Sequence, residues 1–296
     1  MKKGSDEMNT ETVVINGRLI ARTLLHELKK EILEFQEQGI VPNLTVIILG
    51  NDPSAMAYVR MIEKNGKAVH LDLTIKQLPI ETSEEELVAE IEALNVDPKV
   101  HGILIQMPLP KQIRENVILK TIDYRKDVDG FNPLNTGRLV VGADTYLPCT
   151  PGGIMHILEY HDIDLSGKNA VVIGRSNIVG KPIAMLLLEK NATVTICHSR
   201  TEDLKSHTKN ADILVAAVGR PKFITGDMIK EGAVVIDVGI NDVEGKIVGD
   251  VDFESTEPVA GYITPVPGGV GSTTISILIQ NTLKSVKRAI KRAQQV

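Results

Sequence analysis

Short apolar runs rich in β-branched residues recur along this chain, and segments with apolar positions at helical spacing separate them. Val13–Ile15 reads as a short strand. Gly17 to Gln38 follows as an amphipathic helix, with Leu24, Leu25, Leu28, Ile32 and Phe35 on one face and Gly39 at its end. Asn43–Leu49 is a continuous apolar run of the kind a buried parallel strand needs. A turn at 50–53 leads to a helix from Ser54 to about Val69, then to an alternating strand over Leu71–Leu78. Ser83 and Glu86 form a capping box for a helix reaching Leu94. His101–Met107 is a further strand, closed by Pro108 and Pro110. Residues 123–151, dense in Gly, Pro, Asp and Asn, break this rhythm and read as a long, specified loop, with a helix near Gly153–Tyr160 beyond it. Four apolar runs then follow at βα spacing: Ala170–Ile173, Thr193–Cys197, Ile213–Ala217 and Ala233–Val238. That pattern predicts a doubly wound parallel sheet. A last helix, Thr273 to about Ala293, carries Ile275, Leu278, Ile279, Leu283, Val286 and Ile290 at core spacing.

With 296 residues, the chain has room for two ordinary domains. The net charge of −5 implies no general attraction to nucleic acid. Lys287, Arg288, Lys291 and Arg292 read as a solvated helix end that complements the helix dipole. No apolar run is long enough for a membrane span, and no signal-peptide stretch opens the sequence, so a cytoplasmic protein is expected. Residues 1–10 are polar and are expected to be disordered. Cys149 and Cys197 are too few and too scattered for a disulfide framework or a zinc site, so no metal is expected.

The stretch NAVVIGRSNIVGKP, 169–182, carries the clearest candidate chemistry. A buried strand ends at Gly174, Gly180 lets a helix pack close, and Pro182 lies in that helix's first turn. Such a helix start aims free N–H groups at an anion such as a pyrophosphate. Ser176 stands where the usual G-x-G-x-x-G fingerprint has its second glycine, so the motif alone is weak. The next strand ends in Cys197-His198-Ser199-Arg200, with no carboxylate before Glu202 to accept from a ribose hydroxyl. Arg175, Arg200 and Ser199 suit the extra phosphate of NADP instead. Read alone, an ordinary strand–helix turn with two solvated arginines remains open.

Five separated motifs point to one family: GNDPSAMAYV (50–59), GILIQMPLPKQI (102–113), KDVDGFNPLNTGRL (126–139) with LPCTPGG (147–153), VVIGRSNIVGKP (171–182) and ITPVPGGVG (263–271). Together they resemble the methylenetetrahydrofolate dehydrogenase/methenyltetrahydrofolate cyclohydrolase family over nearly the whole chain from Val13. The resemblance implies two α/β domains around a cleft: a folate-binding catalytic domain over 1–147 and a Rossmann-like NADP-binding domain over 148–271. A C-terminal helix, 272–296, would return to the first domain. It also implies a homodimer, a place in one-carbon metabolism, and tetrahydrofolate derivatives with NADP as ligands. Carried over residue by residue, Tyr58 would orient the folate ring system, Asp129 would accept from the pterin amino group, and Gln106 would assist water addition. Pro265, Pro267, Gly268 and Gly269 would line the folate. Gly174, Arg175, Ser176, Ser199 and Ile240 would contact the nucleotide.

The chain departs from the family pattern at one chemical position. The family's Y-V-x-x-K places an acid/base lysine four residues after the tyrosine, on the same helix face; here that position is Ile62. Lys64 lies roughly 200° around the helix from it. Ala55, His70 and Ser272 also replace the family's serine, glycine and proline. Hydride transfer to NADP⁺ needs no proton transfer in that step, whereas hydrating the product and opening its ring does. The expectation is a dehydrogenase with weak or lost cyclohydrolase activity. A non-catalytic folate- or nucleotide-binding paralogue, and a bifunctional enzyme with the lysine's role filled elsewhere, are the alternatives.

Overall fold

The computed structural model describes residues 11–295, so the disorder expected over residues 1–10 lies outside the described residues. The N-terminal half runs β1 (Val13–Val14), α1 (Gly17–Glu37), β2 (Asn43–Leu49), α2 (Pro53–Ala68), β3 (Asp72–Leu78), α3 (Glu84–Val96), β4 (Gly102–Ile105), α4 (Glu115–Thr121), α5 (Pro133–Val140) and α6 (Cys149–Tyr160). There follow β5 (Asn169–Ile173), α7 (Gly180–Glu189), β6 (Thr193–Cys197), α8 (Leu204–Thr208), β7 (Ile213–Ala216) and β8 (Val234–Asp237). The remainder is a hairpin of β9 (Asn241–Val243) and β10 (Lys246–Val248), then α9 (Phe253–Thr256), β11 (Tyr262–Ile263) and α10 (Val270–Ala293). The chain forms two compact units. Among the described residues, one holds Arg18–His161 with residues 271–295; the other holds residues 11–17 with Asp162–Val270.

The first unit is built on a three-stranded parallel sheet in the order β3-β2-β4. Every residue of β2 is buried, which is why Asn43–Leu49 reads as an unbroken apolar run. Its side chains alternate between two cores. Leu44, Val46 and Ile48 pack with Leu24, Leu28 and Ile32 of α1, Val59 and Ile62 of α2, and Leu278 and Leu283 of α10. Ile47 and Leu49 face Leu87 and Ile91 of α3 and Ile118 of α4. The capping box forms as the spacing predicts: Glu86 N–H donates to Ser83 Oγ (3.2 Å) and Ser83 N–H to Glu86 Oε2 (2.8 Å).

One feature of this unit differs from the sequence expectation. The segment over 123–151 is not all loop, because α5 lies inside it and its last residues open α6. Asn132 caps α5 by accepting from Leu134 N–H (2.8 Å), and Pro133 occupies its first turn. The Asn and Pro that read as loop are the start signal of a helix. Helix α6 stays in the three-stranded unit, and the crossing comes at 161/162.

The second unit is a six-stranded, wholly parallel sheet in the order β1-β11-β8-β7-β5-β6. Strand β1 joins it by pairing Val13 with Tyr262 and Val14 with Ile263, so the chain's first strand completes the later sheet. Successive strands leave β5 in opposite directions, β6 on one side and β7 on the other. Ligands bind at such a switch point, outside the carboxyl ends of the strands.

Candidate functional site

In the six-stranded unit the chain leaves β5 at Gly174, whose φ is +129°. A Cβ there would stand 2.2 Å from the carbonyl oxygen of Ala217, and one at Gly180 would stand 2.3 Å from that of Gly174. Only glycine permits the turn and the close approach of α7. Ser176, the residue that breaks the fingerprint, serves its own helix start. Its Oγ accepts from the N–H groups of Val179 and Gly180, each at 3.2 Å. It satisfies two N–H groups at the helix start that a glycine would leave open.

A crevice of about 400 Å³ opens at the carboxyl ends of β5, β6 and β7. Gly174, Arg175, His198, Ser199 and Arg220 contribute to its lining. Three of the expected nucleotide residues therefore come together, while Ser176, Arg200 and Ile240 do not line it. Ile240 is 70% exposed. The turn after β6 is fixed locally: His198 N–H donates to Thr201 Oγ1 (2.8 Å), and Arg200 N–H donates to His198 Nδ1 (3.1 Å). The crevice's β6 turn thus carries hydroxyls and an imidazole with flanking guanidinium groups, a fit for phosphate rather than for free ribose hydroxyls.

Two buried carboxyls that sequence reasoning passed over shape this end of the sheet. Asp250 accepts from the N–H groups of Val218 (2.6 Å), Gly219 (3.0 Å) and Arg220 (2.9 Å), and from Asn241 Nδ2 (2.9 Å). Asp237 accepts from Gly239, Asp250 and Val251 N–H groups at 2.8 to 2.9 Å. Burial pushes the Asp237 carboxyl up to about 6, against the pull of those N–H groups. Their signal in the sequence was an acidic residue within two positions of a glycine in an otherwise apolar segment, VVIDVG and IVGDV. The turn that follows β11 also belongs to this unit. Its Pro265 lines a smaller cavity of about 250 Å³ together with Asp237, Pro267 is exposed, and Gly269 is buried.

In the three-stranded unit, α2 starts where Asp52 Oδ1 accepts from Ala55 N–H (2.8 Å). Its inward face is Ala55, Val59, Ile62 and Gly66. Tyr58 is half-buried at the edge of that face; Ile62, one turn on, is wholly buried in the same apolar cluster as Val128 and Cys149. Gln106 follows β4. Its N–H donates to Ile47 O and its Nε2 to Met107 O, both at 2.8 Å. It lines a cavity of about 730 Å³ with Asp52, Ala55, Gln77 and Pro108.

Asp129 keeps some exposed surface, but its carboxyl is withdrawn from water. That desolvation raises it to about 7; the Cys149 thiol and N–H, which donate to it, and the Asp127 carboxyl nearby modulate the shift in opposite senses. Burial, together with Cys149 and Asp129, likewise holds the Tyr58 phenol well above its usual range, so it works as a neutral hydroxyl. Tyr58, Asp129 and Cys149 form one electrostatic group, which brings two of the three expected catalytic residues together. Asp127 braces the loop beneath them by accepting from Asn132 N–H and Asn135 Nδ2, both at 2.8 Å. Asn135 in turn donates to Tyr124 O (2.8 Å). Much of the KDVDGFNPLN motif is thus devoted to holding Asp129 in place. Cys149, inside the segment read as loop, lies in the first turn of α6, buried, with Sγ 3.7 Å from Val128 O.

The family model described as the tetrahydrofolate dehydrogenase/cyclohydrolase catalytic domain matches residues 15–129, and that described as its NAD(P)-binding domain matches 148–290. The bifunctional protein FolD of Halalkalibacterium halodurans is 52% identical over 275 residues, covering 93% of this chain and 99% of the relative. That of Bacillus cytotoxicus is 53% identical over 278 residues, covering 94% and 97%. Among solved structures, the FolD methylenetetrahydrofolate dehydrogenase/cyclohydrolase of Campylobacter jejuni superimposes with a TM-score of 0.92 at 45% identity, covering 94% of this chain and 99% of that one. The Trypanosoma brucei FolD enzyme, solved with NADP and an inhibitor, gives 0.90 at 38% identity, covering 95% and 99%. Similarity of this extent, running through both units, makes the chain a member of the tetrahydrofolate dehydrogenase/cyclohydrolase family.

Proposed function

We propose that this protein oxidises methylenetetrahydrofolate to methenyltetrahydrofolate with NADP⁺, and that hydrolysis of the methenyl product is weak or lost. Family membership supports the first half. The observation that carries the second is Ile62, an aliphatic side chain with no exposed surface, one helical turn from Tyr58. The Gly174 turn and the phosphate-compatible lining of the crevice fit NADP, which when bound supplies the acceptor for a hydride. Gly174 and the start of α7 hold the pyrophosphate; Arg175 and Ser199 hold the 2′-phosphate. Ser176, Arg200 and Ile240 are assigned to the rim of the same site.

On the folate side, Tyr58 orients the ring system and the Asp129 carboxylate accepts from the pterin amino group. Pro265, Pro267, Gly268 and Gly269 are assigned folate contacts by resemblance to the family. In the oxidation the bridging methylene carbon gives up a hydrogen with its electron pair, and the cation left is shared by the two flanking nitrogens. No side chain gains or loses a proton in that step, so its main demand is orientation. Water addition and ring opening do move protons. Gln106 can orient a water, but Ile62 can neither donate nor accept. Family membership adds a homodimer and a cytoplasmic setting to this reading.

Ile62 equally favours a protein that binds folate and nucleotide without catalysis. Formation of NADPH from methylenetetrahydrofolate separates the two: steady turnover supports the dehydrogenase, and its absence with both ligands bound supports the second reading.

A pH dependence follows from Asp129. Its carboxyl stands at about 7, so it is mostly neutral at pH 6 and ionised at pH 8. Only the ionised form accepts fully from the pterin. Folate affinity therefore rises with pH, by about tenfold per unit at most on the acid side. Titration calorimetry from pH 5.5 to 8.5 should show this rise in the unaltered protein and a flat, weak profile in Asp129→Asn.

A further inference from the structure

One part of the crevice at β5, β6 and β7 is left unused by the phosphate contacts. Its lining includes the apolar Leu204, Ala217 and Val218, together with Arg220 and Phe223. The Arg220 guanidinium carbon lies over the Phe223 ring, 4.1 Å from its centroid. Arg220 is exposed, so the guanidinium is open on the side away from that ring. Among the described residues no carboxylate pairs with it. Its backbone is not free to wander, because the N–H groups of Val218, Gly219 and Arg220 all donate to the buried Asp250.

We infer that Arg220, supported on Phe223 and fixed at its backbone by Asp250, is the stacking wall for the purine base of the dinucleotide. The inference rests on reading this crevice as the NADP site. With the pyrophosphate at Gly174 and the 2′-phosphate at Arg175 and Ser199, the base attached to that ribose falls on the lining that remains. A purine needs an apolar floor and a flat, polarisable partner, and Leu204 and Val218 provide the floor. A guanidinium plane already lying on an aromatic ring provides the partner, because its second face stacks on a base at little cost in side-chain freedom. Asp250 touches no ligand in this arrangement; it is a positioning residue for Arg220.

Charge and planarity make different predictions, so lysine and glutamine substitutions separate them. Arg220→Lys keeps the charge and loses the plane; Arg220→Gln loses the charge and keeps only a small amide plane. Titration with adenosine 2′,5′-bisphosphate is expected to show both variants weakened by a similar factor, about 3- to 30-fold. Phe223→Leu is expected to follow them. The absorbance change of the adenine ring on binding should shrink in all three variants. Arg220 is exposed, so unaltered thermal unfolding is expected to exclude misfolding. Wild-type affinity in Arg220→Lys, or no loss in Arg220→Gln, overturns the inference while leaving the NADP site standing. Failure of the unaltered protein to bind either NADP or the bisphosphate overturns both.

Discussion

Replacing Ile62 by lysine raises hydrolysis of methenyltetrahydrofolate about 10²–10⁴-fold over the unaltered protein, the range expected when a positioned acid/base group is supplied. Position 62 faces inward on α2, one turn from Tyr58, in the apolar cluster that also holds Val128 and Cys149. A lysine there carries its ammonium beyond the reach of an isoleucine's terminal methyl, past the apolar stem and towards the Tyr58–Asp129 group. Burial lowers that lysine's affinity for a proton, and a neighbouring Asp129 carboxylate raises it. The same ammonium favours the ionised form of Asp129, so the pH dependence of folate affinity flattens in the variant. Following the decay of the methenyl compound at matched protein concentrations, with Ile62→Met as a bulk control, checks the first effect. Equal decay with lysine and methionine would mean that the surroundings of Tyr58 lack more than this one group.

The second large effect concerns Asp250. Its carboxyl is wholly buried and gathers three successive backbone N–H groups and the Asn241 amide. Asp250→Ala leaves those donors without a partner in a space too tight for easy repair. At about 1 kcal/mol or more for each stranded donor, the six-stranded unit loses on the order of 3 kcal/mol. Urea unfolding is expected to show a lower midpoint for this unit. NADP binding is expected to fall further than the stability loss alone accounts for, because the loop after β7 forms one side of the crevice. Asp250→Asn, which keeps two acceptor lone pairs, should recover part of both.

The strands were legible because their signals are local. Asn43–Leu49 and Thr193–Cys197 appear as read, and the face of α1 is buried at Leu24, Leu28, Ile32 and Phe35. The helix α5 was hidden by its own start signal, since Asn132 and Pro133 look like turn residues until the apolar spacing after them is weighed. The place of β1 was out of reach for a different reason. Its partner Tyr262 lies some 250 residues along the chain, and no local pattern specifies so distant a pairing.

Within the candidate site, the place of Gly174 and Arg175 in the crevice lining follows from the strand–turn–helix signal around that glycine. Asp250 and Asp237 were not legible, because a carboxyl that braces a loop looks in the sequence like any surface acid. Asp127 and Asp129 make the same point within one motif. Two residues apart, one accepts from Asn132 and Asn135 and holds the loop; the other faces Tyr58 and Cys149. Only the fold tells which is which.

The most direct test is to give the protein methylenetetrahydrofolate and NADP⁺ and follow both products in one reaction. NADPH and methenyltetrahydrofolate are predicted to rise together, with the methenyl compound then decaying at its rate in buffer. Formyltetrahydrofolate appearing as fast as NADPH would contradict this, since a proton donor would then be acting where Ile62 cannot.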